Sequence, residues 1–288
     1  MKRDIEREIT DEIIAAMENG TAPWSPDWSG GARLDLPTRA NGETYRGVNV
    51  LILWTHAAKR GYGVNRWMTY QQAAKLGGQV RKGERGTTIV KYGTYEREND
   101  AGETQTGRYL KRYAVFNVQQ IDGLPDDLAY DPVKEIDTGA RPIPELEAFY
   151  NSVGAIVRID GTQPRYVPAQ DAIYIPHVQQ FETAHGFYGT LAHELCHWTG
   201  HKRRLDRFPS VERDQDYAFE ELIAELGACF VTAQAGGVRD TDRSAAYIKS
   251  WLQALRNDKK YIFRAAAKAQ QAADFILKAS SQGNSLAA

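Results

Sequence analysis

The sequence predicts an α+β protein of two domains, on three observations. The stretch from Asp122 to Pro144 gathers five Asp, four Pro and two Gly with little apolar periodicity, which is linker composition. Charge is distributed unevenly on the N-terminal side of that stretch. On its C-terminal side, helix-spaced apolar residues alternate with short β-branched runs. The expected segmentation is a first domain over residues 1–130, a linker over 131–144 and a second domain over 145–288. At 288 residues the chain can bury one large core or two modest ones.

The elements follow in order. MKRDIEREITDEIIAAMENG is spaced as a short charged helix, without the apolar core of a secretory signal. VNVLILW, with Trp54, is expected in the core, as is Trp24. Beyond the linker, PELEAFYNSVG is helical, AIVRID and AIYIP are strand-like, and FYGTLAHELCHW and AFEELIAELGACFVTAQ again carry helical spacing. A long helical finish runs from Arg243 to about Ser280, interrupted near Asp258, and SSQGNSLAA is expected to fray. No internal repeat is visible.

Composition narrows the function classes. Lys and Arg total 36 against 37 for Asp and Glu, so the net charge of −1 argues against a chain that coats nucleic acid over its whole surface. Locally the balance differs. Residues 1–32 carry three basic and seven acidic groups, whereas Arg33 to Arg97 carry twelve basic and four acidic. Tyr45, Trp54, Tyr62, Trp67, Tyr70, Tyr92 and Tyr95 are interleaved with those cations. A binder of single strands needs rings for bases and cations for phosphates, and this segment supplies both. RKGERG places Arg81, Lys82 and Arg85 in a glycine-punctuated turn whose backbone N–H groups can also reach phosphate. Tyr45 with Arg46, and Arg66 with Trp67, each set a ring beside a guanidinium and are the stacking candidates. Two cysteines, Cys196 and Cys229, are too few for a disulfide framework, and no run approaches a membrane span. The expectation is a cytoplasmic protein with no membrane partner.

His193-Glu194-Leu195-Cys196-His197 matches H-E-x-x-H. Residues four apart on a helix project side by side, so two imidazoles can converge on one cation while Glu194 stays free to act as a base. An open catalytic site needs a third protein ligand. His201 is a poor one, because Gly200 is expected to end the helix and three ligands along one helix would spread over about 12 Å of axis. FEELIAELGACF offers better donors. Glu221 and Glu225 lie four apart on one face, so one can bind metal while the other supports a ligand imidazole, and Glu220 can support the second. A solvated face is disfavoured for acids among Leu222, Ile223, Leu226 and Phe230. Cys196, inside the motif, is expected to be a small buried sulfur rather than a catalytic thiol.

HELCHWTGHKRRLDR, preceded by YVPAQDAIYIP and followed by EELIAELGA, resembles the ArdC-type antirestriction proteins of conjugative plasmids. The N-terminal half carries the resemblance too, in APWSPDW, NGETYRGVNVLILW, NRWMTYQQAAKLGGQVRKGERGT and YAVFNVQQIDGLP, so it covers nearly the whole chain. It implies a mixed α/β single-stranded DNA-binding domain, then a zincin-like metallopeptidase domain, and protection of incoming DNA from host restriction. On that pattern His193, His197 and a Glu of EELIAE hold the metal, Zn2+ or another divalent ion such as Mn2+, and Glu194 is the catalytic acid. Zincins with a third Glu commonly show E-x-x-x-D/E with the first acid on the metal, which selects Glu221 and leaves Glu225 and Glu220 behind the histidines. Tyr188, His201 and Tyr217 are candidates to stabilise an oxyanion. AIYIP is either a core strand or a strand that an extended peptide pairs with. Expected partners are single-stranded DNA and a protein substrate such as a host restriction enzyme.

Overall fold

Helix α1 (Ile5–Glu18) buries Ile9, Ile13, Ile14 and Met17 on one stripe, and the Asp4 side chain caps its first turn by accepting from the Arg7 amide at 3.1 Å. The computed structural model describes residues 4–19, 22, 24, 35–98, 104–129, 140–208, 214–237 and 245–287. It forms two units, one of Pro37–Pro132 and one of Met1–Leu36 with Val133–Ala288. Helix α1 therefore packs with the C-terminal unit, although the expected segmentation grouped it with the residues up to 130. Of the expected linker, residues 131–139 lie outside the described residues, as does Arg33, the first cation of the basic segment.

In Pro37–Pro132 the order is β1 (Thr38–Arg39), α2 (Val48–Arg60), β2 (Arg66–Met68), α3 (Tyr70–Lys75), β3 (Gln79–Val80), β4 (Thr87–Glu98), β5 (Thr104–Asn117), β6 (Ile121–Asp122) and α4 (Asp126–Ala129). One sheet runs β1-β2-β5-β4, and β3 pairs with β6. The core is the apolar run of α2, with Val50, Leu51, Leu53 and Trp54 buried, together with Trp67, Met68 and Val115. Asn49 clamps the outer edge of β4, accepting from the Val90 amide and donating to its carbonyl. The strands β4 and β5 are long and pair from Thr87↔Val115 to Glu98↔Thr104, so the hairpin extends well past the strands beneath it.

The second unit continues with α5 (Pro144–Ser152), β7 (Ile156–Ile159), β8 (Arg165–Val167), β9 (Ala172–Ile175), α6 (Ala184–Thr199), α7 (Asp214–Ala235), α8 (Ala245–Asn257) and α9 (Tyr261–Ala287). The break between α8 and α9 falls at Asp258, as its capping chemistry suggests. Its carboxylate accepts from the Lys260 amide. Helix α9 runs on to Ala287, so the tail expected to fray is helical. The strand order is β7-β9-β8, which makes AIYI the central strand. Paired on both sides with Ala172, Ile173 and Ile175 buried, it has no free edge for a peptide, and the core reading of AIYIP holds.

Helix α7 lies against both α6 and α9. Small residues permit the approach. A Cβ on Gly227 would stand 2.7 Å from Cys196 Sγ on α6 and 3.5 Å from the Ala269 carbonyl on α9. The facing stripe of α9 is Ala265, Ala266, Ala269, Ala272 and Ala273, all fully buried. Cys196 thus packs as a small sulfur, and both cysteines are free thiols. We expect Gly227→Ala to destabilise the protein by about 1–3 kcal/mol through overpacking, and Cys196→Ala to recover part of that loss in the double variant. Thermal unfolding of the four proteins measures the coupling. Additive effects would mean that this contact does not limit the helix spacing.

Candidate metal centre

The site sits where α6 faces α7. Thr183 caps α6 by accepting from the Gly186 amide at 2.9 Å, and Gly200 ends it, its N–H donating to the His197 carbonyl while the His201 N–H donates to that of Trp198. Between those ends His193 and His197 are one turn apart, and their Nε2 atoms lie 3.0 Å from each other. Glu221 reaches across from α7, with Oε2 3.5 Å from His193 Nε2 and Oε1 3.4 Å from His197 Nε2. One ligand atom from each of the three falls within 4.8 Å of the others, a set that suits a divalent cation.

The outward nitrogens are also provided for. His193 Nδ1 lies 3.5 Å from Glu225 Oε2, and His197 Nδ1 lies 3.3 Å from Glu220 Oε1. Carboxylates placed there fix the ring orientation and leave each Nε2 facing the centre. Glu194 is buried and lines the same cleft, whose volume is about 530 Å³. His201 is buried outside the cleft lining, and its Nδ1 accepts from the Arg203 amide.

Burial of these charges is compensated. Burial alone would lower the pKa of both imidazoles. Hydrogen bonds to Glu220 and Glu221 outweigh it at His197, raising it to about 10, and those to Glu221 and Glu225 raise His193. Burial likewise favours the neutral acid at Glu220 and Glu221, yet the histidines, with Arg207 at Glu220, hold both carboxyls below their usual range.

Two arginines absent from the expected site lock this arrangement. The Arg207 side chain is only 3% exposed, and its guanidinium donates to both Glu220 oxygens at 2.7 and 3.1 Å, to Thr199 Oγ1 at 2.7 Å and to the Cys196 carbonyl at 2.6 Å. It joins the C-terminal end of α6 to the carboxylate behind His197, where a cation also complements the helix dipole. The chain turns back to deliver it through Asp206, a left-handed residue at φ 46°. Arg204 donates to both Asp171 oxygens and stacks on Trp198 at 3.9 Å, while Tyr166 donates to Asp171 at 2.8 Å. The signal for both arginines was HKRRLDR, a run of cations directly after the metal helix.

The oxyanion candidates separate cleanly. Tyr188 is buried, is not among the residues lining the cleft, and donates to Glu147 at 2.8 Å. Tyr217 lines the cleft, its hydroxyl 3.3 Å from that of Tyr247. Tyr247, on α8, is a cleft residue that the sequence did not single out. The contact with Tyr247, then burial and the nearby Glu221 charge, raise the Tyr217 pKa and keep its phenol a donor.

The DNA-contact candidates fare differently. Tyr45 and Trp67 are 5% and 0% exposed, so neither ring is available for stacking. Tyr45 Oη points at the Trp67 carbonyl and the indole donates to Asn65, which makes both part of the core beneath the sheet. Arg66 donates to the carbonyls of Asp127 and Leu128 and so caps α4. Arg81 is engaged by Asp122, Glu84 and the Gln119 carbonyl. Arg46, Lys82 and Arg85 are exposed.

Comparison with known proteins agrees with this geometry. Residues 3–116 match the family model of the N-terminal domain of anti-restriction factor ArdC, and residues 144–268 match that of a zincin-like metallopeptidase. The crystal structure of the antirestriction ArdC protein from plasmid R388, in its metal-free form, superposes with a TM-score of 0.88 at 48% identity, covering 97% of this chain and 99% of that one. The chain belongs to the ArdC antirestriction family. The Mn(II)-bound form of the same R388 protein superposes with a TM-score of 0.84. The Sinorhizobium fredii protein y4eC is 37% identical over 95% of this chain and 91% of its own length. An Escherichia coli DNA primase TraC is 35% identical over 96% of this chain, which spans only 27% of that primase. The ArdC-like fold here has a zincin-like second domain, and among the described residues no helix is long and apolar enough to cross a membrane.

Asp171 tests the clamp that seats β8 on α6. The hydrogen bonds from Arg204 chiefly, then from Tyr166, outweigh burial and hold its carboxyl down to about 2. A depressed acid contributes stability above its unfolded pKa of about 3.9 and loses that contribution as pH falls through the folded value. We expect Asp171→Asn to lower the melting temperature at pH 7, with the difference from wild type shrinking between about pH 4 and about pH 2. A difference that is constant over that window in thermal scans would contradict the clamp.

Proposed function

We propose that this chain is an antirestriction protein that holds single-stranded DNA through its ArdC-type N-terminal segment and carries a metal-dependent peptidase site behind it, protecting incoming plasmid DNA from host restriction. The observation that carries the peptidase reading is the convergence of His193, His197 and Glu221 on one point at the wall of a cleft that Glu194 also lines. His193, His197 and Glu221 would hold the ion, with Glu225 and Glu220 orienting the two imidazoles. Two imidazoles and one carboxylate suit Zn2+, and the Mn(II)-bound R388 relative supports divalent ions more widely. A divalent ion so held supplies Lewis acidity, which makes water more acidic and polarises a scissile carbonyl.

The residues of the chain do the remaining work. Glu194 takes the proton of the attacking water and returns it to the leaving amine. Tyr217, a neutral donor at the cleft, is placed to hydrogen-bond an oxyanion. Strand β8 is the sheet edge beside the cleft, with Arg165 and Tyr166 among the lining residues, so an extended peptide would add to it rather than to β9. The protein substrate, such as a host restriction enzyme, would be drawn from the same cytoplasm.

Glu194→Ala separates hydrolysis from occupancy as the source of protection. We expect the variant to keep its fold and bound metal and to lose protection in a restriction-challenge transfer assay. Undiminished protection with metal retained would place the antirestriction effect in DNA binding, leaving the metal domain a structural role. Tyr217→Phe should lower kcat by about 10- to 1000-fold on a cleaved peptide with KM little changed, as removal of an oxyanion donor does.

A further inference from the structure

One face of the β4–β5 hairpin carries a row of rings and cations that the described function has not used. Directly opposed residues of an antiparallel pair project to one face, and the register places Ile89 with Tyr113, Lys91 with Lys111, Gly93 with Tyr109 and Tyr95 with Gly107. Tyr113, Lys91, Lys111, Tyr109 and Tyr95 therefore share one face. Tyr95 and Tyr113 are 51% and 43% exposed.

The rings are seated rather than loose. A Cβ on Gly93 would collide with the Tyr109 ring, and one on Gly107 with the Tyr95 ring, so each tyrosine lies over the glycine across the ladder. Laid over glycine, each ring packs against the sheet, and Tyr95 still leaves half of its surface to solvent. Lys111 Nζ stands 5.0 Å from the Tyr109 ring centroid, and it is directly opposite Lys91. Like charges so paired destabilise a hairpin unless an anion lies over them. Neither lysine forms an ion pair among the described residues, and Glu96, paired with Thr106, belongs to the opposite face.

We propose that this face is where single-stranded DNA is held, with bases stacking on Tyr113, Tyr109 and Tyr95 and phosphates between them on Lys91 and Lys111; the proposal rests on the DNA-binding reading above. Spacing selects single strands over duplex. At about 3.3 Å per residue, Tyr109 and Tyr113 are about 13 Å apart along β5, and Tyr95 is about 7 Å further along the ladder. Those intervals exceed the 3.4 Å step of stacked duplex bases, so only bases unstacked from one another can reach successive rings. The buried Tyr45 and Trp67 leave this role to the hairpin.

The test is titration of a labelled oligothymidylate with the full chain by fluorescence anisotropy, over a range of salt. Tyr95→Leu/Tyr113→Leu should weaken binding roughly tenfold or more per ring, whereas Tyr95→Phe/Tyr113→Phe should bind like wild type. Lys91→Gln/Lys111→Gln should reduce the slope of log affinity against log salt by about 1.4, at about 0.7 per phosphate contact on a single strand. Circular dichroism checks the fold, and if the leucine variant fails to fold, the lysine variant decides. Wild-type binding that survives the leucine or lysine changes within twofold would overturn the hairpin site and leave the DNA-binding reading standing. A wild-type chain with no salt-sensitive retention of the oligonucleotide would overturn that reading, and this site with it.

Discussion

The metal centre depends on how closely α6 and α7 approach. Two histidines on one helix make a metal site only if a third donor arrives from elsewhere, and here that donor can arrive because Gly227 has no side chain to hold α7 away from Cys196. With the helices this close, three acids from one face of α7 meet both nitrogens of both imidazoles: Glu221 at the inner pair, Glu225 and Glu220 at the outer atoms. Arg207 then ties Glu220 to the end of α6, so the carboxylate behind His197 is fixed by the helix it supports. Opposite charges this well matched tolerate burial, which an isolated glutamate on an apolar helix would not.

The N-terminal unit solves a different problem. Its basic segment is not one surface. Several of its cations serve the fold, Arg66 capping α4 and Arg81 closing the RKGERG turn against Asp122 and Glu84, and the tryptophans and Tyr45 make the core. What reaches solvent as a row is the hairpin, where β4 and β5 outrun the strands below them and expose tyrosines on a two-stranded ribbon. A ribbon of two strands is marginal alone, and glycine-seated rings stiffen it by covering backbone that would otherwise be bare.

Much of this was legible in the sequence because it is written in short periods. H-E-x-x-H and the acids at 220, 221 and 225 each fix a helix face by spacing alone, and the structure brings those faces together. The break at Asp258 and the burial of Cys196 follow from equally local chemistry. What was not legible depends on long-range packing. Adjacent rings and guanidiniums in Tyr45-Arg46 and Arg66-Trp67 say nothing about which side of a sheet they face. Tyr247 enters the cleft from a helix 30 residues after Tyr217. Arg204 and Arg207 reach their partners only through a turn that relies on a left-handed aspartate. Helix α1 has an apolar stripe that any core could cover, and its spacing does not name α8 as its partner. A short continuous apolar run such as AIYI, by contrast, is typical of a strand buried between neighbours.

The most direct measurement is metal content of the purified chain with Glu221→Gln and Glu225→Gln side by side. The geometry predicts that Glu221→Gln loses the ion, while Glu225→Gln retains it with affinity reduced by about 10- to 100-fold, the usual cost of removing a carboxylate behind a ligand histidine. Full metal content in Glu221→Gln, or its loss in Glu225→Gln alone, would contradict the assignment of ligands at the α6–α7 contact.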